Sequence, residues 1–482
     1  MANILSSLIS ASGALDAFTQ ALDVTQNNVA NAQTPGYVNQ TQLLAAMQFD
    51  PSQGSTGGVL ATQVVSSRDQ YAEQSVRQQN MLLGQAQQNV TSYTSLQSLF
   101  DISGNSGIPY ALNNLFSSFS AWGESPTSAD AQQAVINSAT DLASAFQQTA
   151  SGMTQAAQNN DSQIGQTVTQ INQLVGQLAT YNAQALRDAT PDSGLDAQIN
   201  STLQQLSQYV NFTASQQPDG AVTVLLNGQV PLLMGAQAFS IQNQPVAADS
   251  TSANPNAPPT MTILASDGSD ITSQLTGGTL GALMNLANTV FPEYLGSGGS
   301  AGEINTMAQQ FADTVNQALT SGNVSDGPPP VAGVPLFTYD TTNATNVAQT
   351  LAVDPTVTAG QLAAISAGPP EVSNGVPLAL SGLANPQSGS AYEIGGVSYT
   401  DFYGNMAAAI GNGLNDANNN LQVQQSALAQ AQNLRQQVSG VSLDAEAAVL
   451  LQFQQAYEAN SKLITILDQL SEDTINMLVA TS

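Results

Sequence analysis

Almost every charged side chain of this sequence is a carboxylate. The 482-residue chain contains 33 aspartates and glutamates, 5 lysines and arginines, and neither histidine nor cysteine. The sequence therefore excludes histidine-dependent nucleophilic triads, cysteine nucleophiles, histidine-bound zinc and disulfide bonds. Carboxylate-only chemistry and a Ser–Lys pair remain open, although Lys462 is the single lysine.

Asp444 and Glu446 are the best-placed pair for acid–base chemistry. They follow Gly440 and Ser442, at the start of a segment that lacks glycine and proline. Ser442 is a suitable N-cap there, and carboxylates in the first turn of a helix interact favourably with its dipole. We therefore interpret the two carboxylates as helix-start residues rather than as catalytic acids.

Two further motifs resemble ligand sites only in part. Asp267-Gly-Ser-Asp270 lacks the remaining ligands of a calcium loop and is predicted to be a turn. The glycine-rich segment Gly296–Gly302 is not followed by the Lys-Ser/Thr of a phosphate loop and is predicted to be a flexible linker. The sequence thus predicts no catalytic residue, no metal site and no cofactor, and we do not expect an enzyme.

The charge of the chain excludes some classes of partner, and its apolar stretches and first ten residues bear on its location. With a formal net charge of −28, the sequence predicts neither a nucleic-acid partner nor a membrane partner, because phosphate-binding surfaces need clustered cations. No stretch approaches the roughly 18 apolar residues of a membrane span. The first ten residues lack the basic start and apolar block of a secretory signal peptide. We expect either a cytoplasmic protein or export by a route that needs no cleaved signal.

The first thirty residues have the clearest periodicity in the chain. Their apolar positions are spaced alternately four and three apart, as in the a and d positions of a coiled coil. The helix should end near Asn31, because Thr34-Pro-Gly-Tyr37 suits a type II turn. The predicted seam consists of Ile4, Leu8, Ala11, Leu15, Phe18, Leu22, Thr25 and Val29.

A second heptad pattern runs from Asp444 to about Leu478. Its polar positions Asn460, Ser471 and Thr474 either set the register of the helix or are simply tolerated, and the sequence leaves both explanations open. Its apolar positions are Leu450, Phe453, Tyr457, Ile464, Leu467 and Leu478.

Between the ends, helical and β-like segments alternate. Residues 69–100 and 128–186 are rich in glutamine and alanine and have helical spacing, with Ile164, Val168, Ile171, Val175 and Leu178 on one buried face. Short strands punctuated by glycine and proline are predicted in residues 210–284. The predicted fold class is mainly α with β insertions: paired N- and C-terminal coiled-coil-like helices, a long helical bundle forming a rod domain, and outward β-rich side domains.

Four domains follow from this pattern. Residues 1–40 and 440–482 form a terminal helical domain, the inner part of an assembly. Residues 41–209, 285–325 and 400–439 form the rod domain. Residues 210–284 form a β-rich side domain, and residues 326–399 form a Pro/Gly-rich β or loop insertion.

The motifs at the two ends resemble those of a known family. Asn27-Asn-Val-Ala-Asn31 with Thr34-Pro-Gly-Tyr37, and Ser439–Ala448 with Leu451–Ser461, resemble the N- and C-terminal signatures of the rod, hook and hook-associated axial proteins of the bacterial flagellum. Positions between the ends resemble the hook-associated branch of that family: Gly58, Val59, Arg68, Asp69, Tyr71, Gln74, Arg77, Leu99, Phe100, Leu112, Phe116, Phe119, Pro126, Ile171, Asn172, Leu178 and Asn182.

This resemblance covers about residues 1–185 and 400–482 and departs from the family in the middle. The family usually has a basic and acidic stretch where this chain has Asp192–Gln198. It often has a histidine where Leu319 or its neighbour stands here. Both departures concern the middle domains, so they affect the details of those domains more than membership of the family.

The resemblance implies a structural subunit at the junction of hook and filament, exported through the flagellar secretion system and located outside the cell. The implied partners are a ring of like subunits, the hook protein, a second junction protein next to the filament, and an export chaperone on the C-terminal helix. Another axial protein, such as hook protein or flagellin, and a filament-displayed enzyme are the alternatives. The implied assembly interface comprises the apolar seam residues of both ends, namely Ile4, Leu8, Leu15, Phe18, Leu22, Val29, Leu450, Phe453, Tyr457, Ile464, Leu467 and Leu478, with Asn27, Asn28 and Asn31.

Elementary energetics adds an expectation about the terminal helices. Isolated helices depend on tertiary packing for stability, and an exposed apolar side chain forfeits about 1–2 kcal/mol of burial energy. We therefore expect the termini to be mobile in the monomer and to become ordered against neighbouring subunits.

Overall fold

The fold consists of long helices with small sheets between them. The computed structural model describes residues 2–50, 55–100, 105–187, 192–217, 219–368, 370–389 and 392–480. The mainly helical fold with β insertions predicted from the sequence is confirmed. The helices are α1 (Ala2–Asn31), α2 (Gln70–Gln97), α3 (Gly107–Glu124), α4 (Ala129–Ala185), α5 (Ser193–Tyr209), α6 (Gly278–Asn285), α7 (Phe291–Leu295), α8 (Glu303–Ser321), α9 (Val347–Thr350), α10 (Gly375–Ser381), α11 (Tyr399–Ser439) and α12 (Leu443–Ala480).

The strands are short and pair mostly with their neighbours in sequence. The pairs are antiparallel throughout, as expected for hairpins with short connections. The strands are β1 (Gln40–Ala46), β2 (Phe49–Asp50), β3 (Ser55–Thr56), β4 (Val59–Ser66), β5 (Phe212–Gln216), β6 (Val222–Leu226), β7 (Val230–Met234), β8 (Gln237–Ala238), β9 (Gln242–Val246), β10 (Thr260–Leu264), β11 (Gly322–Ser325), β12 (Val331–Ala332), β13 (Phe337–Thr338), β14 (Ala352–Val353) and β15 (Ile365–Ser366).

The chain ends lie side by side, since α1 packs along α12. Helix α1 ends at Asn31, as predicted. The turn that follows is closed by the Tyr37 amide, which donates to the Thr34 carbonyl at 3.1 Å. Gly36 has φ +80°, the value that a type II turn requires at its third residue. The predicted turn is therefore confirmed, and it directs the chain from α1 into β1.

The rest of the chain forms a body around two hydrophobic cores. One core joins α3, the first half of α4, α8, the first half of α11 and the segment 336–394. The other joins the second half of α4 with α5, α6 and strands β6, β7 and β10. Ser128 caps the start of α4, a helix of 57 residues, and at about 1.5 Å per residue it is long enough to span both cores.

The aromatic residues of α3 lie in one core, and the buried face predicted for α4 is confirmed in the other. Phe116, Phe119 and Trp122 of α3 lie inside the first core. The face of α4 that runs from Ile164 to Leu178 lies inside the second. Helices α2 and α11 pack against each other, and Leu96 of α2 and the first half of α11 also belong to the first core. The pair runs antiparallel, because Ser439 at the end of α11 lies beside Asp69 at the start of α2.

The short strands predicted in residues 210–284 are present as β5 to β10, and the region ends in helix α6, because Leu280 and Leu283 insert into the second core. One expectation about the middle of the chain was wrong. The segment Gly296–Gly302 is a tight turn rather than a flexible linker. Ser297 and Ser300 exchange backbone hydrogen bonds of 2.8 and 3.3 Å, and a Cβ on Gly302 would lie 2.3 Å from the Gly296 nitrogen.

The segment 326–399 contains short strands and helices, and its large buried apolar side chains belong to the first core. Leu336, Phe337 and Leu351 lie in the same cluster as Phe311 of α8. Within the described residues, no helix is both long enough and apolar enough to cross a membrane. Because Leu336, Phe337 and Leu351 pack with α8, the segment 326–399 is part of the body.

Candidate assembly interface of the terminal helices

The seam predicted for α12 lies on the side of the helix that contacts α1. The rings of Phe453 and Phe18 lie 6.2 Å apart, centre to centre. Leu450, Phe453, Ile464 and Leu467 are half-buried, whereas Tyr457 is 38% exposed. The side chain of Leu478 lies outside the described residues. Because one helix covers one side of α12, its seam is only partly shielded from water within a single chain.

The face that α1 buries coincides only in part with its predicted seam, since Ala11 and Thr25 belong to both. Ile4, Leu8, Leu15, Phe18 and Leu22 are half-buried, and Val29 is 43% exposed. The fully buried positions are the small or polar ones, because α12 lies along one side of α1 and strand β4 along another, and small side chains allow both to approach. These positions are Ala11, Ala14, Ala17, Ala21, Thr25 and Asn28.

The outer sides of both helices carry exposed apolar side chains. On α1, Leu5 and Ile9 are 60% and 64% exposed. On α12, Leu463, Ile466 and Leu470 are 46%, 59% and 50% exposed, and their spacing of three and four places them on one side of the helix. We call these three residues the outer stripe. A row of exposed apolar side chains of this kind indicates a protein-binding surface.

Polar residues in the seam are satisfied within their own helices. Thr25 donates to the Ala21 carbonyl at 3.0 Å, Asn460 to the Ala456 carbonyl at 3.1 Å, and Thr474 to the Leu470 carbonyl at 2.6 Å. None of these three bonds crosses from one helix to the other. Their geometry favours simple tolerance of polar residues over a role in setting register.

A buried polar group, which we call the clasp, holds the end of α1 to the start of α12. It consists of Asn28, Tyr37, Asn39, Gln40 and Glu446. Asn28 Nδ2 donates to Glu446 Oε2 at 3.1 Å and to the Gln40 carbonyl at 2.7 Å. Asn39 Nδ2 donates to Glu446 Oε1 at 2.7 Å. Both oxygens of a buried carboxylate are thereby satisfied, as burial requires.

The Asn28 side chain also accepts hydrogen bonds, so both ends of its amide are used. Its Oδ1 accepts from the Tyr37 hydroxyl at 2.9 Å and from the Gln40 amide at 3.1 Å. Burial, together with the Glu446 carboxylate, raises the pKa of Tyr37. The clasp therefore favours a neutral tyrosine that can donate its proton to Asn28.

The other two asparagines of the N-terminal motif have different roles. Asn31 Nδ2 donates to Asn27 Oδ1 at 2.6 Å, and Asn31 Oδ1 accepts from the Thr34 hydroxyl at 3.1 Å. Asn27 and Asn31 therefore shape the end of α1 and border a groove of about 420 Å³ against α4 and α5. Of the three asparagines, the structure brings Asn28 into contact with the C-terminal motif.

Asp444 and Glu446 lie in different environments and do not form an acid pair. Asp444 is exposed, whereas Glu446 is buried in the clasp. Ser442 caps the helix by accepting from the Ala445 amide at 3.4 Å. In the described part of the chain, no group of acidic residues is arranged to hold a metal ion. Of the two carboxylates, Glu446 joins the start of α12 to the end of α1, and Asp444 lies in solvent.

Sequence reasoning missed two members of the clasp. Asn39 and Gln40 follow the turn without any periodicity that marks them, and their contacts depend on a helix some 400 positions away, since Asn39 and Glu446 are 407 residues apart. Asn28 lies outside the predicted seam, which passes through Thr25 and Val29, and the one signal for it was the family motif Asn27–Asn31.

Comparison with known proteins places this arrangement in a class. Residues 8–37 match the family model described as "Flagella basal body rod protein". Residues 432–477 match that described as "Flagellar basal body rod FlgEFG protein C-terminal". These two matches cover the helices that meet at the clasp, so the paired termini are those of a flagellar axial protein.

The match to the body is more specific. Residues 93–337, half of the chain, match the model "Flagellar hook-associated protein FlgK helical domain". The chain belongs to this family of flagellar hook-associated proteins, as the resemblance of its motifs indicated.

Individual relatives agree with the family. The chain is 24% identical to flagellar hook-associated protein 1 of Bacillus subtilis (strain 168), over 99% of each chain. It is 24% identical to the protein of the same name from Escherichia coli (strain K12), over 98% of this chain and 100% of that one. Its fold is similar to the solved flagellar hook junction protein FlgK from Burkholderia pseudomallei, with TM-score 0.59 and 16% identity, covering 76% of this chain and 99% of that chain.

Proposed function

We propose that this chain is a structural subunit of the bacterial flagellum that forms the junction between hook and filament and assembles through its terminal helices. The observation that carries the proposal is the exposed apolar surface of the paired helices, together with the family to which the chain belongs. The relatives are named as hook-associated proteins, and the solved neighbour is named as a hook junction protein.

The partners follow from that position. Neighbouring copies in a ring, the hook protein on one side and a second junction protein on the filament side would cover the outer stripe and the exposed side of α1. An export chaperone would cover α12 before assembly. The protein would act outside the cell, after export through the flagellar secretion system without a cleaved signal. Since burial of apolar area is favourable at about 25 cal/mol per Å², each such contact would stabilise the terminal pair.

The predicted seam residues and the outer stripe, which was not among the predicted assembly residues, have different roles under this proposal. The seam residues of α12 and their partners on α1 hold the pair together within one chain, and the outer stripe faces neighbours. The division of the chain into terminal, rod, side and insertion domains with the boundaries given above is part of the same proposal. A structural role fits better than catalysis because the one suggestive acid pair is divided between solvent and the clasp.

The direct test is a strain that lacks this chain. We expect hooks without filaments in electron micrographs and flagellin released into the medium. Normal filaments on such a strain would contradict the junction role. Hooks that fail to form at all would instead indicate a rod or hook subunit.

Complementation with surface variants tests the interface itself. The double variant Ile466→Ser/Leu470→Ser should fold as the wild type does but restore few filaments, because it removes two residues of the outer stripe. Val423→Ser is the matched control, since Val423 is 61% exposed on α11, away from the terminal pair. Equal restoration by both variants would show that the outer stripe does not take part in assembly.

A further inference from the structure

The chain passes between the terminal helices and the body at two places, and these places are bonded to each other. One crossing is residues 67–69 and the other begins at Ser439. The Ser439 carbonyl accepts from the Asn39 amide at 2.9 Å, and the Ser439 hydroxyl accepts from the Asp69 amide at 3.1 Å. Ser67 Oγ also donates to the Ser439 carbonyl, at 3.3 Å. The two crossings therefore form one compact joint.

A buried cluster of charges lies against this joint, which we call the joint cluster: Arg68, Glu73, Asp196 and Arg435. Arg68 Nη1 contacts Glu73 Oε1 at 2.6 Å, and Arg68 Nε donates to Asp196 Oδ2 at 2.9 Å. Arg435 Nη1 lies 3.4 Å from Glu73 Oε2. The side chains of Arg68 and Glu73 are 4% and 3% exposed. The Glu73 carboxylate of α2 thus links the first crossing, through Arg68, to the end of α11, through Arg435. Arg68 also binds Asp196, which connects the cluster to α5.

The joint cluster also reaches the terminal helices directly. Arg68 Nη2 donates to the Gly36 carbonyl at 2.7 Å, in the turn that follows α1. A Cβ on Gly36 would lie 2.5 Å from the Ala197 carbonyl of α5, so this turn is seated directly on the body. Residues from the terminal turn, the crossing and three body helices therefore meet at a single arginine–glutamate pair.

Three of the few basic residues in the chain interact with the same glutamate. The sequence has 5 lysines and arginines, and Arg68, Arg77 and Arg435 all interact with Glu73, Arg77 through its charge. Burial lowers the pKa of Arg77, while the Glu73 carboxylate opposes that change. Arg187 and Lys462 lie on the exposed surface. Buried ion pairs add little net stability, and where they are kept a plausible role is to specify one geometry.

A ligand site is the competing explanation, because a cavity of about 560 Å³ borders Arg68 and Asp196. Arg68, however, already donates to Glu73, to Asp196 and to the Gly36 carbonyl. Its charge is therefore satisfied within the chain, and an anion in the cavity would have to displace these acceptors. The joint cluster therefore connects the terminal turn to the body helices rather than binding an anion.

We propose that the joint cluster fixes the direction in which the terminal helices leave the body, with Glu73 as the positioning residue. Without its negative charge, Arg435 and Arg68 keep only separate acceptors, Gln204 Oε1 at 3.1 Å and Asp196 Oδ2 at 2.9 Å. The joint can then bend at its two crossings. The inference concerns the free chain. It stands or fails independently of assembly at the hook–filament junction.

The test uses the absence of cysteine from the sequence. Spin labels on Ser426→Cys and Gln455→Cys report the distance between α11 and α12, and each lies about 20 Å from the joint at 1.5 Å per residue. Pulsed electron paramagnetic resonance on the full-length chain should give a narrow distance distribution, because Gln455 lies beside the Phe18–Phe453 contact and toward the clasp rather than in the outer turns of α12, where opening is expected. Adding Glu73→Gln should broaden it about twofold, because hinge movements concentrate at a few residues between packed elements, while the circular dichroism of the helices is retained.

Matched controls separate positioning from general loss of charge. Glu458→Gln and Arg187→Met change exposed residues of the same types and should leave the distribution narrow. If Glu73→Gln does not fold, Arg68→Met/Glu73→Leu/Asp196→Asn/Arg435→Met removes the four charges of the joint cluster together, and it should fold with a broad distribution. A distribution that stays narrow in the folded variant, or one that is already broad in the wild type, would overturn the proposal.

Discussion

The body and the terminal helices use their side chains in opposite ways. In the body, the largest side chains are the most buried, as Trp122, Phe119 and Phe311 show with no exposed area. In the terminal pair, the buried residues are small, with Ala17 and Ala21 at 1% exposure, while Ile9 and Ile466 are mostly in water. The body buries its largest apolar side chains within a single chain, whereas the terminal pair leaves several of its own exposed.

This contrast has an energetic consequence. The burial of a large apolar side chain contributes about 1.5–3 kcal/mol, and the body collects that contribution from two cores. The terminal helices collect little of it until something covers their outer sides. Their specificity within the chain comes instead from polar contacts at one end, in the clasp. Under the proposed function, stability is therefore assigned to the body and assembly to the terminal pair.

The largest effect is expected in the body core. Phe311 packs against Phe116, Phe337 and Tyr399, with an edge-on ring contact to Tyr399 at 5.2 Å. Phe311→Ala should lower the free energy of unfolding by about 3–5 kcal/mol, because it leaves a cavity. Ile466→Ala, the matched change in the outer stripe, should alter it by about 0.5 kcal/mol or less, as exposed sites do. Urea denaturation of both variants measures the difference, and similar losses would remove the distinction between the two regions.

An intermediate effect is expected at the clasp. Asn28→Ala removes the hydrogen bond that Asn28 donates to the Glu446 carboxylate and the one that it accepts from the Gln40 amide. The loss should lower the stability of the terminal pair by about 1–3 kcal/mol, because buried polar groups are left unsatisfied. Because the clasp joins the terminal pair, the loss should appear as faster amide hydrogen exchange in α12 rather than in the body. Asn27→Ala, one residue away and exposed, is the control. Equal exchange in the two variants would show that Asn28 does not hold the helices together.

Hydrogen exchange in the wild type sharpens the comparison further. Isolated helices with little packing open readily, so the outer turns of α1 and α12, far from the clasp, should exchange much faster than α3 or α4. The turns around Asn28 and Glu446 should lie between these extremes. Strong protection along both whole terminal helices of the monomer would contradict our view that neighbours complete them.

The smallest effect concerns an acidic group of the body. Burial and then the nearby Glu293 carboxylate raise the pKa of Glu303. A raised pKa in the folded state means that stability present at acid pH is lost as the pH rises through that pKa. Glu303→Gln should therefore raise the melting temperature at pH 7 relative to the wild type and change it little near pH 4. A melting temperature difference that does not vary with pH would refute this assignment, with Glu393→Gln as the control.

Much of the fold was accessible from the sequence because it depends on local rules. The bounds of α1 and α4, the turn at Thr34–Tyr37 and the cap at Ser442 follow from heptad spacing, proline, glycine and N-cap residues. The helix α6 and the tight turn at Gly296–Gly302 were missed, because in both cases distant packing outweighs a local composition rich in glycine.

The sequence by itself determined which chemistry the protein lacks, which family it resembles and which segments form its terminal helices. These are properties of residue types and of spacing along the chain. Only the tertiary structure decided which face of α1 is buried, which asparagine meets Glu446, and that three of the few basic residues converge on Glu73. Such contacts join positions up to 418 residues apart, and heptad spacing shows where apolar residues lie but not which neighbours cover them.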